Sequence, residues 1–179
     1  MEDQELFNLQ YPIGKFSVPE TITPQLIELS IEVIASFPGK LEKEVSDLSE
    51  SQLDTPYRPG GWTVRQVVHH CADSHMNSLI RFKLALTEEK PIIRPYFEDR
   101  WAELPDTRTM EVAPALQLLH GLHSKWVYLI QSSTAEQLQR SFINPENDKE
   151  YTLELAVILY GWHCNHHLSH ITSLKFHQD

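Results

Sequence analysis

A run of histidines near the carboxyl terminus is the densest group of potential metal ligands in the chain. Residues 161–170 read Gly-Trp-His-Cys-Asn-His-His-Leu-Ser-His and contain four of the ten histidines. In a helix, which turns by about 100° per residue, His163 and His167 lie one above the other on nearly the same face. Two imidazoles spaced in this way can bind one metal ion. The spacing therefore predicts a metal site here, with His170 near the same face and His166 displaced further round.

A third ligand is expected from a second histidine-rich segment, residues 67–75, which reads Val-Val-His-His-Cys-Ala-Asp-Ser-His. The apolar stripe of a helix through this segment is centred near Cys71 and His75. Helical periodicity therefore favours His75 as the inward-facing histidine. His70 lies well off the centre of the stripe and His69 lies on the far side, so only a helix buried over a broad arc would bring His70 inside.

Four long helical segments are expected to position these histidines. In each segment, apolar residues recur at helical spacing. Residues with the propensity to begin a helix precede three of the segments. The predicted helices start at Thr23-Pro24, run from Thr63 to about Leu86, run from about Ala113 to Ser132, and start near Thr152. In the first of them, Phe37-Pro38-Gly39 leaves open whether there is one kinked helix or two. This pattern predicts an all-α fold, an antiparallel four-helix bundle.

Two further segments are expected to lie outside the long helices. Residues 1–20 contain two prolines and a glycine and predict an extended arm, which precedes a helical domain of residues 21–179. Residues 90–113 contain three prolines and predict a long ordered crossover. No segment alternates between apolar and polar residues for long enough to indicate a β-strand.

The composition limits the class of protein. The chain has 25 Asp and Glu against 15 Lys and Arg, and its formal net charge is −10. Its cationic residues are scattered singly, which disfavours binding to nucleic acid or to an anionic membrane surface. No stretch approaches the ~18 apolar residues of a membrane span. The first ten residues do not resemble a secretory signal, and two cysteines do not make a disulfide framework. These features predict a cytoplasmic protein.

Two motifs resemble a known family. Residues 60–77 read Gly-Gly-Trp-Thr-Val-Arg-Gln-Val-Val-His-His-Cys-Ala-Asp-Ser-His-Met-Asn, and residues 162–170 follow the pattern Trp-His-x-x-His-His-x-x-His. Together with residues 11–14, 52–58 and 80–83, these motifs resemble the DinB superfamily. Within it, they are most similar to the YfiT-like proteins of bacilli, which carry the name metal-dependent hydrolase. The resemblance covers nearly the whole chain.

The resemblance implies an up-and-down four-helix bundle, a homodimer, and a divalent metal ion, zinc or nickel, on three histidines. The helical pair of ligands in the family corresponds to His163 and His167. The family pattern also places a ligand histidine eight residues after a tryptophan, which selects His70 after Trp62. We therefore expect His70 to complete the site, in place of the His75 that periodicity favours.

Three functions remain open. Three neutral imidazoles leave a divalent ion open positions, where a bound water has its pKa lowered towards ~7, and this favours hydrolysis of a small-molecule substrate. The same ion could instead hold a thiol as thiolate, as in a bacillithiol-type thiol S-transferase. A fourth protein ligand, His75 or Cys164, would close the site and favour a non-catalytic metal-binding module of stress response. A cationic cleft rim would favour an anionic thiol, and a neutral one would favour small esters or amides.

Several other polar residues are candidates for a supporting or structural role. Asp73 lies one helical turn after His70 and is a candidate for a catalytic base or for orienting a ligand imidazole, with a solvated carboxylate as the alternative. Arg65 could hold an anionic substrate, although a solvated helix face is expected. His120 and His123 are expected to be ordinary surface or core-edge residues.

Overall fold

Helices dominate residues 3–176, the part of the chain that the computed structural model describes. The elements in chain order are α1 (Asp3–Gln10), α2 (Pro24–Val45), α3 (Glu50–Leu53), α4 (Val64–Thr87), α5 (Glu98–Trp101), α6 (Pro105–Arg108), α7 (Ala113–Gln131), α8 (Ala135–Leu138), β1 (Ser141–Asn144), β2 (Lys149–Thr152) and α9 (Leu153–Thr172). Within these residues, no helix combines the length and the hydropathy that a membrane span requires.

The four long helices α2, α4, α7 and α9 pack around one hydrophobic core. α2 and α4 each pack against both α7 and α9, so α2 and α4 lie diagonally opposite each other. All four helices contribute large buried side chains to this core. Examples are Phe37, Phe82, Trp126 and Ile171. The prediction of a four-helix bundle is confirmed.

The directions of the helices differ from a simple up-and-down order. At the start of α4, Arg65 donates a hydrogen bond to the backbone carbonyl of Met110, just before α7. Near the ends of the same two helices, the rings of Phe82 and Trp126 lie 5.4 Å apart between centroids. α4 and α7 therefore run parallel, although they follow each other among the long helices. This corrects the up-and-down order that the resemblance implies.

The long crossover between α4 and α7 explains why these two long helices can be parallel. α4 has 24 residues, so it is about 36 Å long. A chain that leaves its end must travel back along the bundle before it can begin a parallel helix. Residues 88–112, which include α5 and α6, make this return. The side-chain amide of Gln66 in α4 holds the crossover by donating to the carbonyl of Ala102.

Threonine side chains begin three of the long helices where the sequence predicts them. The Oγ1 atoms of Thr23, Thr63 and Thr152 each accept a hydrogen bond from the backbone N–H three residues later. These bonds satisfy N–H groups that have no partner within the helix. α2 continues through Pro38 as a single helix, which decides between the two alternatives left open for that segment.

Two local features differ from the predictions. The first part of the predicted extended arm forms α1, and residues 1–2 lie outside the described residues. β1 and β2 form an antiparallel hairpin in which Ser141 lies opposite Thr152. Each strand has only four residues, which is too short for alternation to stand out in the sequence.

Candidate metal centre

α4 and α9 bring their histidines together because the two helices run antiparallel. The ring of His70 lies 4.8 Å from that of His167 between centroids. One turn further along α4, the ring of His75 lies 5.2 Å from that of His163, which precedes His167 in α9. The amino-terminal half of α4 thus faces the carboxyl-terminal half of α9.

His70, His163 and His167 form a group that could hold one metal ion. One ring nitrogen of each lies within 4.8 Å of a ring nitrogen of the other two. The rings of His163 and His167, one turn apart on α9, are separated by 4.4 Å between centroids. Trp62 packs against His70 with ring centroids 4.6 Å apart. The structure brings together the three side chains predicted as ligands, and their binding of a metal stays a prediction.

Burial keeps these three imidazoles unprotonated. The pKa of His70 is lowered to about 3, mainly by burial and to a smaller extent by the nearby His166 and His170. The pKa values of His163 and His167 lie well below the ordinary range, first because of burial and then because of neighbouring histidines. Neutral imidazole is the form that binds a metal ion, so the group is ready to bind at neutral pH. Three imidazole nitrogens form a donor set that fits zinc or nickel.

His75 faces inward, as helical periodicity predicts, but both of its ring nitrogens have partners. Its Nε2 lies 3.1 Å from Nδ1 of His163, and its Nδ1 lies 2.7 Å from Nε2 of His123. A histidine with two such partners can orient a ligand but offers no free nitrogen to the ion. α4 is buried over a broad arc, and this is why both His70 and His75 reach the interior.

A second group of histidines lies beside the first and shares His167. One ring nitrogen of each of His166, His167 and His170 lies within 4.8 Å of the others. The ring of His170 stacks on Tyr57 with centroids 3.9 Å apart, and its Nε2 donates to the backbone carbonyl of Gln10. These contacts fix the end of α9 to the end of α1 and to the loop after α3.

A cleft of about 490 Å³ is lined by all five histidines of the two groups. Its rim carries charges of both signs, because Arg58 comes from the loop after α3 and Glu98 and Asp99 come from α5. The aromatic side chains lining the cleft are Tyr11, Tyr57, Trp62 and Tyr96. The rim is therefore mixed in charge rather than cationic.

Asp73 and Cys164, both candidates for chemistry, are not among the residues that line the cleft. In the described part of the chain, Asp73 belongs neither to the histidine groups nor to the cleft lining. Burial, and then the neighbouring Asp106, raise the pKa of its carboxyl to about 6. Its position does not support a role as catalytic base. Cys164 is fully buried, and burial raises the pKa of its thiol well above the ordinary range, so it stays protonated.

The sequence predictions missed two contributions to the site. The expectation that His123 is a surface or core-edge residue is wrong, since its side chain is 2% exposed. Its helical spacing from the buried Leu119 and Trp126 is the signal that indicates an inward position. Tyr96 reaches the cleft through the path of the crossover, and the sequence holds no periodic signal for that path.

Comparison with known proteins decides the family. A family model described as the DinB superfamily matches residues 36–171, a region that contains all three predicted ligands. The chain belongs to the DinB superfamily. A protein of similar sequence is the "Putative metal-dependent hydrolase YfiT" of Bacillus subtilis (strain 168), 52% identical over 168 residues and 94% of each chain. A "Putative metal-dependent hydrolase" of Bacillus cereus is also 52% identical, over 94% of this chain and 96% of the other.

A solved structure of similar sequence agrees with the fold. YfiT from Bacillus subtilis, described as a probable metal-dependent hydrolase with an unusual four-helix bundle topology, superimposes with a TM-score of 0.91 at 51% identity. The match covers 94% of this chain and 96% of that chain. The parallel pair α4 and α7 is a departure from the usual alternation that fits this description of the topology.

Proposed function

We propose that this DinB-superfamily protein is a divalent-metal-dependent hydrolase of small molecules, with zinc or nickel held by His70, His163 and His167. The observation that carries the proposal is the convergence of three neutral imidazoles from two helices in a cleft of about 490 Å³. The names of the similar Bacillus proteins support the same reaction class. A homodimer, which the resemblance implies, stays a prediction.

The surroundings of the three imidazoles support a site with open positions. When bound, a divalent ion supplies a Lewis acid that polarises a substrate oxygen and lowers the pKa of a water ligand to about 7. The two side chains considered as a fourth ligand are engaged elsewhere, His75 by hydrogen bonds on both nitrogens and Cys164 within the core. A site with three protein ligands is typical of catalysis, and a fourth would close it.

The cleft rim favours a small polar substrate. Arg58 would partly repel a strongly cationic molecule, and Glu98 and Asp99 would partly repel a strongly anionic one. Tyr96 stays protonated because burial raises its pKa. A protonated phenol in the cleft can donate a hydrogen bond to a substrate oxygen. Small neutral or zwitterionic esters and amides fit these features.

A metal-dependent thiol S-transferase is the alternative, and Arg58 is the feature that favours it. Among the described residues that line the cleft, Arg58 is the cation that could bind the carboxylate of a low-molecular-weight thiol. Turnover of an electrophile in the presence and absence of added thiol separates the two reactions. Turnover of esters or amides without thiol supports the hydrolase, and turnover that requires thiol supports the transferase.

The metal centre is tested by removing one ligand. In His163→Ala one of three nitrogen donors is lost, so we expect affinity for Zn²⁺ and Ni²⁺ to fall by more than the roughly 10–100-fold typical of losing a supporting residue. The measurements are metal content per chain after dialysis and helix content by circular dichroism. His120→Ala, an exposed histidine on α7, is the matched control and should keep its metal.

A further variant distinguishes the two histidine groups. His170→Ala disrupts the second group only, so we expect it to retain stoichiometric metal. Full metal content in His163→Ala together with loss in His170→Ala would contradict the proposed ligand set and move the ion to the second group.

A further inference from the structure

A line of hydrogen-bonded imidazoles crosses the bundle from the candidate metal centre to α2. Nδ1 of His163 lies 3.1 Å from Nε2 of His75, and Nδ1 of His75 lies 2.7 Å from Nε2 of His123. Nδ1 of His123 lies 2.6 Å from the backbone carbonyl oxygen of Ile34. We call these three imidazoles and this carbonyl the imidazole relay. Its two middle members, His75 and His123, are buried in the core.

Pro38 leaves the Ile34 carbonyl free to take part in the relay. In an α-helix, the carbonyl of one residue accepts a hydrogen bond from the N–H four residues later. Pro38 lies inside α2 four residues after Ile34, and proline has no N–H. The Ile34 oxygen therefore lacks its usual helical partner, and the buried Nδ1 of His123 supplies a donor instead.

The Ile34 carbonyl fixes which nitrogen of each imidazole carries hydrogen. Because a carbonyl oxygen only accepts, Nδ1 of His123 must donate to it. A neutral imidazole has a single N–H, so Nε2 of His123 accepts, and the donor to it is Nδ1 of His75. By the same rule, Nε2 of His75 accepts the hydrogen of His163 Nδ1. The unprotonated nitrogen of His163 is then Nε2.

The surroundings of the relay support its neutrality. The rings of Phe37, Trp126 and Tyr160 pack against His75, with centroid distances of 5.4, 6.0 and 5.4 Å. Among residues 3–176, none of the ion pairs or hydrogen bonds to His75 or His123 comes from a carboxylate. An added proton would leave an uncompensated charge in this aromatic core.

We propose that the imidazole relay sets the tautomer of His163 so that its Nε2 lone pair is presented to the metal ion. His75 and His123 are positioning residues in this arrangement, and Pro38 in α2 leaves the Ile34 carbonyl free to be the acceptor at its end. The proposal rests on the proposed metal centre for its effect on binding. The tautomers themselves can be measured in the metal-free protein.

The imidazole relay orients and polarises His163 but does not conduct protons. Its three N–H bonds all point towards α2, so their dipoles add and increase the electron density at the metal-facing nitrogen of His163. It ends at a carbonyl, which has no hydrogen to pass on, so a proton cannot leave along it. We therefore expect the relay to strengthen metal binding rather than to carry a proton to or from the cleft.

Long-range ¹H–¹⁵N NMR of the metal-free, full-length protein tests the tautomers directly. We expect His163, His75 and His123 to be neutral and to carry hydrogen on Nδ1 near neutral pH. Hydrogen on Nε2 of His163, or a mixture of tautomers, would overturn the proposal. If the wild-type protein binds neither Zn²⁺ nor Ni²⁺, the proposed function fails, and this measurement still decides on the relay.

Two substitutions of His123 test the effect on the metal centre by competition titration with Zn²⁺ and Ni²⁺. His123→Leu removes the acceptor for His75, so we expect roughly 10–100-fold weaker affinity. His123→Gln keeps an oxygen that can accept this bond, so we expect affinity within about threefold of wild type. Wild-type affinity in the leucine variant, or equal losses in both, would overturn the proposal. If the leucine variant does not fold, the glutamine variant and the NMR spectrum decide.

Pro38→Ala tests the far end of the relay. The new N–H competes for the Ile34 carbonyl, so we expect a mixture of His123 tautomers and weaker metal affinity. The melting temperature of the metal-free protein should rise, because alanine favours the helix interior. A general loosening of the fold would lower both the metal affinity and the melting temperature. A weaker affinity together with a higher melting temperature therefore points to the relay. Unchanged tautomers and affinity would overturn the role of Pro38.

Discussion

Arg65 lies at the start of α4, and its side chain is buried although its carboxylate partners are exposed. Its Nε donates to Asp54, its Nη2 donates to Glu50, and its Nη1 donates to the carbonyl of Met110. These bonds fix the segment around α3 and the end of the crossover to α4. The expectation of a solvated helix face is wrong for this residue, and its position gives it a structural role.

Replacing Arg65 with methionine should cost stability without removing the metal. The substitution keeps most of the side-chain volume but loses three hydrogen bonds, so we expect the free energy of unfolding to fall by about 2–3 kcal/mol. Urea unfolding of the metal-free protein measures this, and metal content is determined in parallel. Arg94→Met, at an exposed position, is the control and should change stability by less than about 0.5 kcal/mol. Lost metal with unchanged stability would place Arg65 at the site instead.

The histidines differ in how far the sequence alone identifies them. The pair His163 and His167 follows from helical spacing, because both residues belong to one helix. His70 belongs to another helix, and the family resemblance was needed to choose it over His75. The partnership of His75 with His123 depends on which helices become neighbours, and no spacing within one helix contains that information.

Gly161 lies at a close approach between α9 and α2. A Cβ atom added at Gly161 would lie 3.0 Å from Cβ and 3.1 Å from Cα of Ser30. The second of these is a backbone atom, so the contact cannot be relieved by rotating a side chain. His163 follows two residues later, so a change in the separation of the two helices at Gly161 is expected to displace His163 as well.

Gly161→Ala should destabilise the protein by about 1–3 kcal/mol, because the two helices must separate to accept the methyl group. The same change should weaken metal binding through displacement of His163. Gly121→Ala in α7 is a matched control, since its added Cβ meets nothing within 4 Å. That control should gain about 0.5–1 kcal/mol from helix propensity. Equal effects of the two substitutions in chemical denaturation would contradict the close approach.

At the level of elements, the sequence predicts what local interactions determine. Thr23, Thr63 and Thr152 mark helix starts because their side chains bond to the backbone three residues later. The parallel direction of α7 depends on where the crossover returns, which is a long-range property. The hairpin of β1 and β2 depends on pairing between two short segments, and neither segment indicates a strand by itself.

The molecule as a whole holds many neutral histidines in its interior, and this makes its stability depend on pH. Burial lowers the pKa of His70 to about 3 and those of His123, His166 and His170 to about 4. In an unfolded chain the pKa of histidine is near 6.5. Between about pH 6.5 and 4 the unfolded state therefore binds protons that the folded state does not.

The metal-free protein should lose stability steeply as the pH falls from about 6.5 to 4. In this range each buried histidine lowers the free energy of unfolding by up to about 1.4 kcal/mol per pH unit. Above this range the full stabilising contribution of each histidine is present. Denaturant midpoints measured by circular dichroism across this range, at constant ionic strength, test the prediction. A midpoint that stays constant from about pH 7 to 5 would mean that these histidines are not held neutral in the folded state.

The segment that follows α1 covers part of α9. Tyr11 stacks on His166 with ring centroids 6.0 Å apart, and Phe16 packs against Trp162 at 5.8 Å. Gln10 and Tyr11 also line the cleft. Residues near the amino terminus thus form part of the wall of the cleft. A truncation or an added tag at this end would change the shape of the cleft, so we expect such a change to alter which small molecules fit there and to leave the three histidines of the candidate metal centre in place.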